Sequence, residues 1–461
     1  MRTTRGTGRQ ECKRLFLKVC QLLLGLTLAL TVAGCHSFQS AEKAEPVTIS
    51  FFGWGPTTTS QLNEDALMFA QFTQKTGIRV QYVPGPESST ETLKTYQRSF
   101  KNKPITPDVY LIDVVWPKVL SEHLADLGPA LGEDSKVLLD ATVKNDTVDG
   151  RLVAIPFFVE TGVLYYRTDL LAKYGYKHPP ETWDELEQMA AKIQRGERAA
   201  GNPHFWGYVW QGAAYEGLTC DAMEWEMSEG GGRIIEEDGT ISVNNPDTVR
   251  AMKRARGWVN TISPPGVTEF KEEDTRNAFV TGNAAFRREW IWGTYATGQG
   301  RSSPIRGKFA ATQIPRGRAG HASVIGGRSL AISKYSLHPQ EATEFIRFLI
   351  GRDVQLRYWN DISLLPARKD FFADQQYLKL RPDLQRLEEV FKNGAVARPS
   401  TIAGEKYAEV SQAYFSAVHS VLTGEVSAEK AMADLETELV KITGFKTGKP
   451  KPVQGGAGPK P

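Results

Sequence analysis

Aromatic residues and carboxylates stand together in several segments of this 461-residue chain that have the composition of loops. An aromatic ring can pack against the C–H face of a sugar ring, and a carboxylate can accept hydrogen bonds from the sugar's hydroxyl groups. A concave site lined by both residue types therefore suits a carbohydrate. The candidates are Trp54, Phe158, Tyr215, Trp225, Trp290 and Trp292, together with Asp113, Glu160, Glu216 and Glu224.

Other kinds of chemistry find little support in the sequence. It has no P-loop, GxSxG, HExxH or dinucleotide-binding motif, and its seven histidines lack metal-ligand spacing. The glycine run at 230–232 lacks a strand-to-helix context and predicts a loop. The formal charge is +3, but residues 1–34 hold six of the 56 Lys and Arg and one of the 53 Asp and Glu, which leaves 50 basic against 52 acidic residues. That balance gives no support to nucleic-acid binding.

The first 34 residues have the pattern of an export signal. Basic residues precede an apolar run from Val19 to Val32, and Ala33, Gly34 and Cys35 follow. A run this short with such flanks indicates a secretory signal rather than a spanning helix, although an uncleaved anchor helix is the alternative. The tetrad VAGC resembles the bacterial lipobox, in which the peptide is cut before the cysteine and that cysteine receives lipid. We therefore expect an exported protein held at the membrane by lipid on Cys35, with a short tether to residue 46.

Cysteine usage agrees with this expectation. Cys12 and Cys20 belong to the signal and Cys35 would be blocked by lipid, so Cys220 stands alone in the remaining chain. Neither a disulfide nor a cysteine metal site is then available. A lone cysteine without a neighbouring histidine predicts a small buried residue rather than a nucleophile.

The chain is long enough for two domains or more, and its first part alternates strands with helices. Strands are predicted at 47–52, 78–83 and 107–113, and helices at 57–74 and 93–100. This alternation indicates βαβ units and a parallel sheet. Ligands of such sheets lie beyond the carboxyl ends of the strands, which places Trp54 and Asp113 on the ligand side.

The segment Ile155–Leu171 predicts a strand that crosses between two lobes. It passes from an apolar run through Phe158, Glu160 and Gly162 into a second apolar run. Hinges lie at points where a few residues absorb a change in backbone angles, and Gly162 provides such a point. We expect this segment to be both a hinge and part of a binding cleft.

Several motifs occur in an order that resembles the extracellular solute-binding proteins of bacterial sugar importers, in particular the trehalose/maltose-binding type. The resemblance spans about 47–442. The motifs are PDVYLIDVVWP (Pro107–Pro117), LYYRTDLLAKYGY (Leu164–Tyr176), PPETWDELEQMAAKIQ (Pro179–Gln194), FWGYVWQGAAYEGLTCD (Phe205–Asp221) and GNAAFRREW (Gly282–Trp290).

The resemblance implies an α/β fold of the two-lobed periplasmic-binding-protein type, in which each lobe is a mostly parallel sheet flanked by helices and the ligand cleft lies between the lobes. Residues 47–157 and about 305–336 would form the N-terminal lobe, and 158–304 and about 337–445 the C-terminal lobe. Residues 446–461 are predicted to be a disordered tail. Such a protein is a monomeric receptor, not an enzyme, uses no cofactor or metal, and delivers a di- or oligosaccharide to the permease of an ABC importer.

The resemblance also implies roles for single residues. Asp113 corresponds to an acidic ligand of sugar hydroxyls, and Glu160 stands where the relatives carry aspartate. Phe158 and Trp290 correspond to aromatic residues of the cleft, of which Trp290 stacks on the sugar. The remaining implied positions are Gly327, whose backbone meets the ligand, and Arg398, a binding arginine. Trp54 and Glu216 complete the candidate site.

Two departures from the relatives leave the particular sugar open. Arg328 stands where the trehalose/maltose type has tryptophan, and Thr57–Ser60 replace a glutamate. Each candidate also has a structural alternative: Asp113 could cap the next helix, Glu160 could pair with an arginine, and Trp292 could be a core residue. A secreted hydrolase using paired carboxylates and a receptor for an anionic ligand, favoured by Arg328 and Arg398, are the competing functions.

Overall fold

The computed structural model describes residues 46–53, 55, 59–291, 298–300, 302–374 and 394–451. By its internal contacts the chain divides into Met1–Val47 and Thr48–Pro461. All of the elements given below belong to the second unit. Within the described ranges, no helix combines the length and the apolar character that crossing a membrane requires.

The strands of the second unit range from two to thirteen residues. They are β1 Thr48–Phe52, β2 Arg79–Val83, β3 Val109–Asp113, β4 Thr147–Val148, β5 Arg151–Leu152, β6 Ile155–Arg167, β7 Trp206–Val209, β8 Ala284–Trp290, β9 Phe309–Thr312, β10 Ser323–Ile332 and β11 Ala395–Val396.

Helices cover most of the remaining described chain. They are α1 Thr59–Thr76, α2 Ser89–Phe100, α3 Pro117–Leu120, α4 Gly128–Ser135, α5 Asp140–Asn145, α6 Thr168–Lys173, α7 Trp183–Ala199, α8 Glu216–Glu229, α9 Pro246–Trp258, α10 Glu272–Val280, α11 Pro339–Leu349, α12 Arg352–Ile362, α13 Lys369–Ala373, α14 Ser400–Ala403, α15 Tyr407–Thr423 and α16 Ala428–Thr443. Short 3₁₀ turns occur at Ser121–His123, Pro265–Glu269 and Gly404–Lys406.

One mixed sheet runs through the fold in the order β2-β1-β3-β10-β6-β8-β7, with β9 added to β6 and β11 to β10. β1 is parallel to both β2 and β3, as the alternation of strands and helices predicted. β10 is antiparallel to β3 and β6, and β8 is antiparallel to β6 and parallel to β7. The sheet thus begins as a parallel α/β layer and changes direction at β10 and β6.

β6 connects the two parts of this sheet. Its first half pairs with β10 from Ile155 to Thr161, and its second half pairs with β8 and β9 from Gly162 to Arg167. All thirteen residues of the strand are buried. A strand covered on both faces has a nearly continuous apolar sequence instead of an alternating one, which is why this segment stands out in the sequence. The crossing predicted at this segment is present.

Three hydrophobic cores lie around the crossing strands in the described residues. The first core includes Ile49, Phe51, Phe69 and Phe345 and is covered by α1, α11 and α12. The second core contains the tryptophans of α7, α8 and α9 and their neighbours: Trp183, Trp210, Trp225 and Trp258. Ring centroids in this tryptophan group lie 5.0 to 5.5 Å apart for the pairs Trp210–Trp225, Trp183–Trp258 and Trp225–Trp258. Trp225 is therefore a packing residue and not part of a binding surface.

The structure departs from the expected lobe boundaries in two places. β9 pairs with the second half of β6 instead of joining the first part of the sheet. α11 and α12, assigned from the sequence to the C-terminal lobe, pack on the first core, where the ring of Phe345 lies 5.6 Å from that of Phe51. The apolar stripe of α11 packs against the aromatic cluster on β1 and α1. Since α11 follows β10 in the chain and lies on the first core, β10 is the second strand that crosses between the two parts of the sheet.

The segment that follows α16 also differs from expectation. The sequence predicted disorder from Lys446 onward, but Ile241 donates to the carbonyl of Lys446 at 2.9 Å and accepts from the amide of Gly448 at 2.9 Å. These backbone bonds attach residues 446–448 to the segment before α9. The prediction was wrong for this part because it considered composition alone. Residues 452–461 lie outside the described chain.

Candidate ligand-binding cleft

A cleft lies where β3, β6, β8 and β10 meet the first residues of α8 and α10, and it encloses a cavity of about 110 Å³. The structure brings seven of the sequence-predicted site residues to its wall. They are Asp113, Glu160, Glu216, Trp290, Gly327, Arg328 and Arg398. Trp54 and the predicted lipidation site Cys35 lie outside the described residues.

Asp113 is the last residue of β3 and is clamped by two arginines. Its Oδ1 accepts a hydrogen bond from Arg398 Nη2 at 2.9 Å, and its Oδ2 accepts one from Arg328 Nη1. Burial raises the pKa of this carboxyl, but the two guanidinium charges outweigh it and leave the pKa below its ordinary value. Asp113 is therefore ionised at neutral pH. Its Oδ1 also accepts a hydrogen bond from the amide of Val115 at 3.3 Å, but the residue that precedes α3 at the cap position is Trp116, so the predicted helix-capping alternative was wrong.

Arg398 links Asp113 to Glu216 at the start of α8. Arg398 Nη1 donates to Glu216 Oε1 at 2.7 Å, and only 2% of the arginine side chain is exposed. Glu216 also accepts from Tyr407 and, at 2.5 Å, from Ser411, which lie on α15. Among the described residues, Arg398 Nε has no hydrogen-bond partner. Arg398 thus joins Asp113 and Glu216 along the wall, and its Nε–H group has no acceptor among the described residues.

Glu160 on β6 is a buried carboxylate at the cleft wall with an oxygen that lacks a hydrogen-bond donor among the described residues. It is 5% exposed, lines the cleft, and its Oε1 finds no hydrogen-bond donor in the part of the chain that the structure describes. Burial is the main cause that raises its pKa well above the ordinary value, with Asp113 and Glu272 adding to the rise and Arg328 and Arg288 opposing it. A buried polar atom without a partner costs free energy, so this oxygen is ready to accept a hydrogen bond from a ligand.

Trp290, the last residue of β8, forms one wall of the cleft. The Arg288 guanidinium lies 4.3 Å from the centre of its ring, a cation–π contact. A Cβ atom on Gly326 would lie 2.7 Å from the indole. Only glycine therefore allows β10 to pass so close to the ring. The indole is fixed between a charge and a strand, with 9% of the residue exposed.

A buried ion pair behind the cleft holds Arg288 in place. Arg288 donates to both carboxylate oxygens of Glu224 at 2.7 and 2.9 Å, and its Nε lies 2.9 Å from Asp221 Oδ1. Glu224 Oε1 also accepts from the amide of Val324 at 3.0 Å. A Cβ on Gly162 would lie 2.0 Å from that oxygen, so the absence of a side chain at this position makes room for the ion pair. Glu224 thus supports the wall from behind and does not line the cleft.

Gly327 and Phe158 meet through the backbone. Gly327 has a φ of 130°, and a Cβ there would lie 2.4 Å from the carbonyl oxygen of Phe158. Phe158 was expected to line the cleft, but its ring packs at 5.6 Å against that of Phe157 in the first core, and the residue is 1% exposed. An aromatic ring gains free energy from apolar burial. The strand pairing therefore uses the backbone of Phe158 and leaves the ring in the core.

Glu272 lines the cleft without having been named from the sequence, and it stands beside Tyr215, one of the aromatic candidates. Tyr215 donates to Glu272 Oε2 at 2.6 Å, and Trp290 Nε1 lies 3.5 Å from Glu272 Oε1. Glu272 is the first residue of α10, where an acidic residue stabilises the helix dipole and so gives no signal of a site. Tyr215 stood among the aromatic candidates, and its carboxylate partner lies 57 positions away in the sequence.

Two contacts join opposite sides of the cleft at its rim. The amide of Glu216 donates to Thr90 Oγ1 on α2 at 3.1 Å, and Lys271 Nζ lies 3.2 Å from Glu87 Oε2. Both contacts connect the first part of the fold with α8 and α10. Such bonds favour a conformation in which the two sides stay close together.

Two further features bear on the chemistry of the cleft. Cys220 is buried at its wall, as predicted for a lone cysteine, and burial raises the pKa of its thiol above the ordinary value. The thiol is thus kept protonated. In the ranges that the structure describes, no group of three or more His, Cys, Asp or Glu side chains is placed to hold a metal ion.

Comparison with known proteins identifies the family. A family model described as bacterial extracellular solute-binding protein matches residues 67–382. A probable ABC transporter-binding protein of Deinococcus radiodurans is 43% identical over 431 residues, which covers 93% of this chain and 99% of the relative. The maltodextrin-binding protein MdxE of Bacillus subtilis is 26% identical over 257 residues, 53% of this chain and 56% of the relative.

The fold comparison agrees with the sequence comparison. The maltose-bound MalE3 of T. maritima superimposes with a TM-score of 0.80 at 35% identity, covering 86% of this chain and all of the other. The two-lobed α/β fold predicted from the motifs is thereby confirmed. Because the family model spans more than half of the chain and two proteins above 30% identity cover most of it, the chain belongs to the bacterial extracellular solute-binding protein family.

Proposed function

We propose that this solute-binding protein captures a di- or oligosaccharide of the maltose or trehalose kind and delivers it to the permease of an ABC importer. The observation that carries the proposal is the pair of unused, buried hydrogen-bonding atoms on the cleft wall: Glu160 Oε1 as acceptor and Arg398 Nε as donor. A sugar hydroxyl both donates and accepts, so it can satisfy both kinds of atom. Trp290 supplies an apolar ring on the same wall.

Relatives of known ligand class support a sugar. The similar solved structure holds maltose, and curated relatives are named for maltodextrin and arabinooligosaccharide. The arrangement of the arginines argues against an anionic ligand, because Arg328 and Arg398 are both engaged by carboxylates. Uptake of a ligand into the cleft would add to the rim contacts and shift the molecule toward its closed form.

We further infer that the protein acts as a monomeric receptor without catalytic turnover and that lipid on Cys35 anchors it on the outer side of the cell membrane. The support for the anchor is the signal pattern that ends in VAGC. Mass spectrometry of protein expressed in its native type of host would reveal the lipid on Cys35. A mature protein beginning elsewhere would contradict the anchor but not the ligand class.

The ligand proposal is tested by a thermal-shift screen of maltose, trehalose and longer glucose oligomers, followed by calorimetry. Binding to the native state alone raises the melting temperature with ligand concentration. A dissociation constant near 1 μM corresponds to about 8 kcal/mol. Each sugar is then recovered and analysed, and we expect it to be intact. Failure of every sugar to shift the melting temperature would overturn the proposal, and turnover of any sugar would favour a hydrolase.

A further inference from the structure

The wall of the cleft carries more acidic than basic groups. Its lining contains six carboxylates and three guanidinium groups: Glu87, Asp113, Glu160, Glu216, Glu272 and Glu273 against Arg276, Arg328 and Arg398. Counting formal charges, three acids are left in excess of the lining arginines. Such an excess in a concave, partly desolvated space is unfavourable unless a proton or another cation compensates it.

Most of these acids have their own basic partner. Asp113 and Glu216 share Arg328 and Arg398, and Glu273 accepts from Arg276. Glu87 pairs with Lys271, which stands at the rim. These pairs account for four of the six carboxylates.

Glu160 and Glu272 are the two that remain. The side chain of Glu272 is held by the neutral donors Tyr215 and Trp290. Arg287, the buried cation whose charge acts on Glu272, is itself paired with Glu289. Glu160 is buried and its Oε1 has no hydrogen-bond donor among the described residues. The two groups also influence each other, since the charge of Glu272 disfavours ionisation of Glu160. The cleft therefore contains an acidic pair and, as the second observation, a buried oxygen that lacks a partner.

We propose that Glu160 and Glu272 bind a protonated nitrogen of the ligand, so that the preferred ligand is an amino sugar rather than a neutral one. This inference rests on the proposed function, because it adds a charge requirement to the same sugar site. An ammonium group donates three hydrogen bonds and carries the missing positive charge, whereas a hydroxyl donates one and carries none.

The competing explanation is that a sugar hydroxyl donates to Glu160 and that Glu272 serves only to orient Tyr215 and Trp290. Under that explanation the charge of the ligand is of no consequence. Replacing a hydroxyl by an amine at the right carbon distinguishes the two, because shape is kept while charge and donor number change. N-acetylation of the same amine then removes the charge again and provides the neutral control.

The experiment uses calorimetry on the purified protein at neutral pH and low salt. The probes are maltose and trehalose, their monoamino analogues with the amine at each carbon in turn, and the N-acetyl forms of those analogues. We expect at least one amino analogue to bind about tenfold or more tightly than its parent, because a charge-assisted hydrogen bond replaces a neutral one. The gain should vanish on N-acetylation and shrink in high salt.

Two isosteric variants assign the effect to the acidic pair. Glu160→Gln and Glu272→Gln should each reduce the preference for the amine by about tenfold while the parent sugar loses less. Glu226→Gln is the matched control: Glu226 is also buried, is held by Tyr414 and Thr248, and lies outside the cleft lining. It should leave the preference unchanged. Thermal unfolding of each variant verifies that it folds. If one of Glu160→Gln and Glu272→Gln does not fold, the other is sufficient to test the amino-sugar inference.

The outcomes separate this inference from the proposed function. If maltose or trehalose binds and no amino analogue binds more tightly, the amino-sugar inference is overturned and the sugar proposal stands. The same holds if the gain survives in both isosteric variants. If neither neutral nor amino sugars bind, the proposed function is overturned and the inference falls with it.

Discussion

Two arginine clusters stand at the cleft, one behind its wall in contact with Trp290 and one on its surface. In the cluster behind the wall, Arg288 binds Glu224 through two hydrogen bonds and contacts Asp221, and all three side chains are fully buried. In the surface cluster, Arg398 and Arg328 share Asp113, and Arg398 extends to Glu216. Arg328 is 25% exposed, and Glu160 next to it has an unused oxygen.

The clusters approach neutrality in different ways. Burial raises the pKa of Asp221 well above its ordinary value, and Arg288 opposes this rise. The cluster behind the wall thus gives its arginine two carboxylates of the protein. The surface cluster balances two arginines with two carboxylates and leaves Glu160 outside these pairs, with its Oε1 lacking a hydrogen-bond donor among the described residues. Charges that serve structure can thus be told from charges that serve binding by asking whether their partners belong to the protein.

The largest effect is expected from breaking the cluster behind the wall. Arg288→Met keeps the length of the side chain and removes its charge, which leaves Glu224 and Asp221 buried without their cation. Removing one partner of a buried ion pair typically costs about 3–5 kcal/mol. Chemical denaturation should show a loss of this size in the free energy of unfolding. A loss below about 1 kcal/mol would show that the cluster is not needed for stability.

A smaller effect, a gain in stability, is expected when the charge of Glu160 is removed. Glu160→Gln keeps the shape and removes the charge, so the empty protein should become more stable at neutral pH. Because the folded-state pKa of Glu160 is raised, its contribution to stability is full below the ordinary value of 4.5 and is lost as the pH rises through the folded-state pKa. One proton gives a slope of at most about 1.4 kcal/mol per pH unit.

Denaturation of both proteins at several pH values above 4.5 measures this slope. We expect the stability of the original protein to decrease with pH relative to that of the Glu160→Gln variant, and the difference to disappear at low pH. Parallel profiles would mean that Glu160 has found a partner and that the surface cluster is complete without ligand.

A substitution of Trp290 tests the comparison through the affinity for sugar. Trp290→Phe shortens the ring that faces the cleft and weakens the contact with Arg288, so sugar affinity should fall about tenfold, or about 1.4 kcal/mol. Trp183→Phe is the matched control, because Trp183 is buried in the second core away from the cleft. We expect that variant to lose stability and keep its affinity in calorimetry. Equal loss of affinity in both variants would mean that the effect is general loosening of the fold.

Much of the fold could be predicted because its elements have local signals. The helix that begins after Thr182 has the capping pattern and the apolar stripe that the sequence shows, and Thr182 accepts from the amide of Glu185. The two apolar runs of β6, which are joined through Glu160 and Gly162, indicated the crossing strand. The lobe to which α11 and α12 belong was not predictable in this way, because an apolar stripe fits any apolar surface and only the tertiary arrangement selects the one on β1 and α1.

The candidate site likewise contains residues that could be assigned from the sequence and contacts that could not. Asp113 was placed at the cleft by its position at a strand end, Trp290 by its motif, and Gly327 by the resemblance to the solute-binding proteins. The partners could not be assigned, because Arg398 lies 285 positions from Asp113 and Glu272 lies 57 from Tyr215. Phe158 was assigned to the cleft because aromatic residues suit both a core and a sugar site. Burial, which decides between the two, is a property of the folded chain.

The smallest effect on stability is expected when an arginine of the surface cluster, instead of Arg288, is replaced by methionine. Arg328→Met leaves Asp113 paired with Arg398, and the partly exposed side chain loses an interaction that solvent already screens, so the change in unfolding free energy should stay below about 1 kcal/mol. The cleft, however, loses one of its three lining arginines, so its acidic excess grows. Calorimetry should therefore show a preference for a cationic ligand over a neutral sugar that is larger than in the original protein. The two variants remove the same atoms at different places. We expect Arg288→Met to lower the free energy of unfolding and Arg328→Met to change ligand binding. If Arg328→Met destabilised the fold as much as Arg288→Met, both clusters would be structural, and the unused oxygen of Glu160 would be the remaining sign of a ligand site.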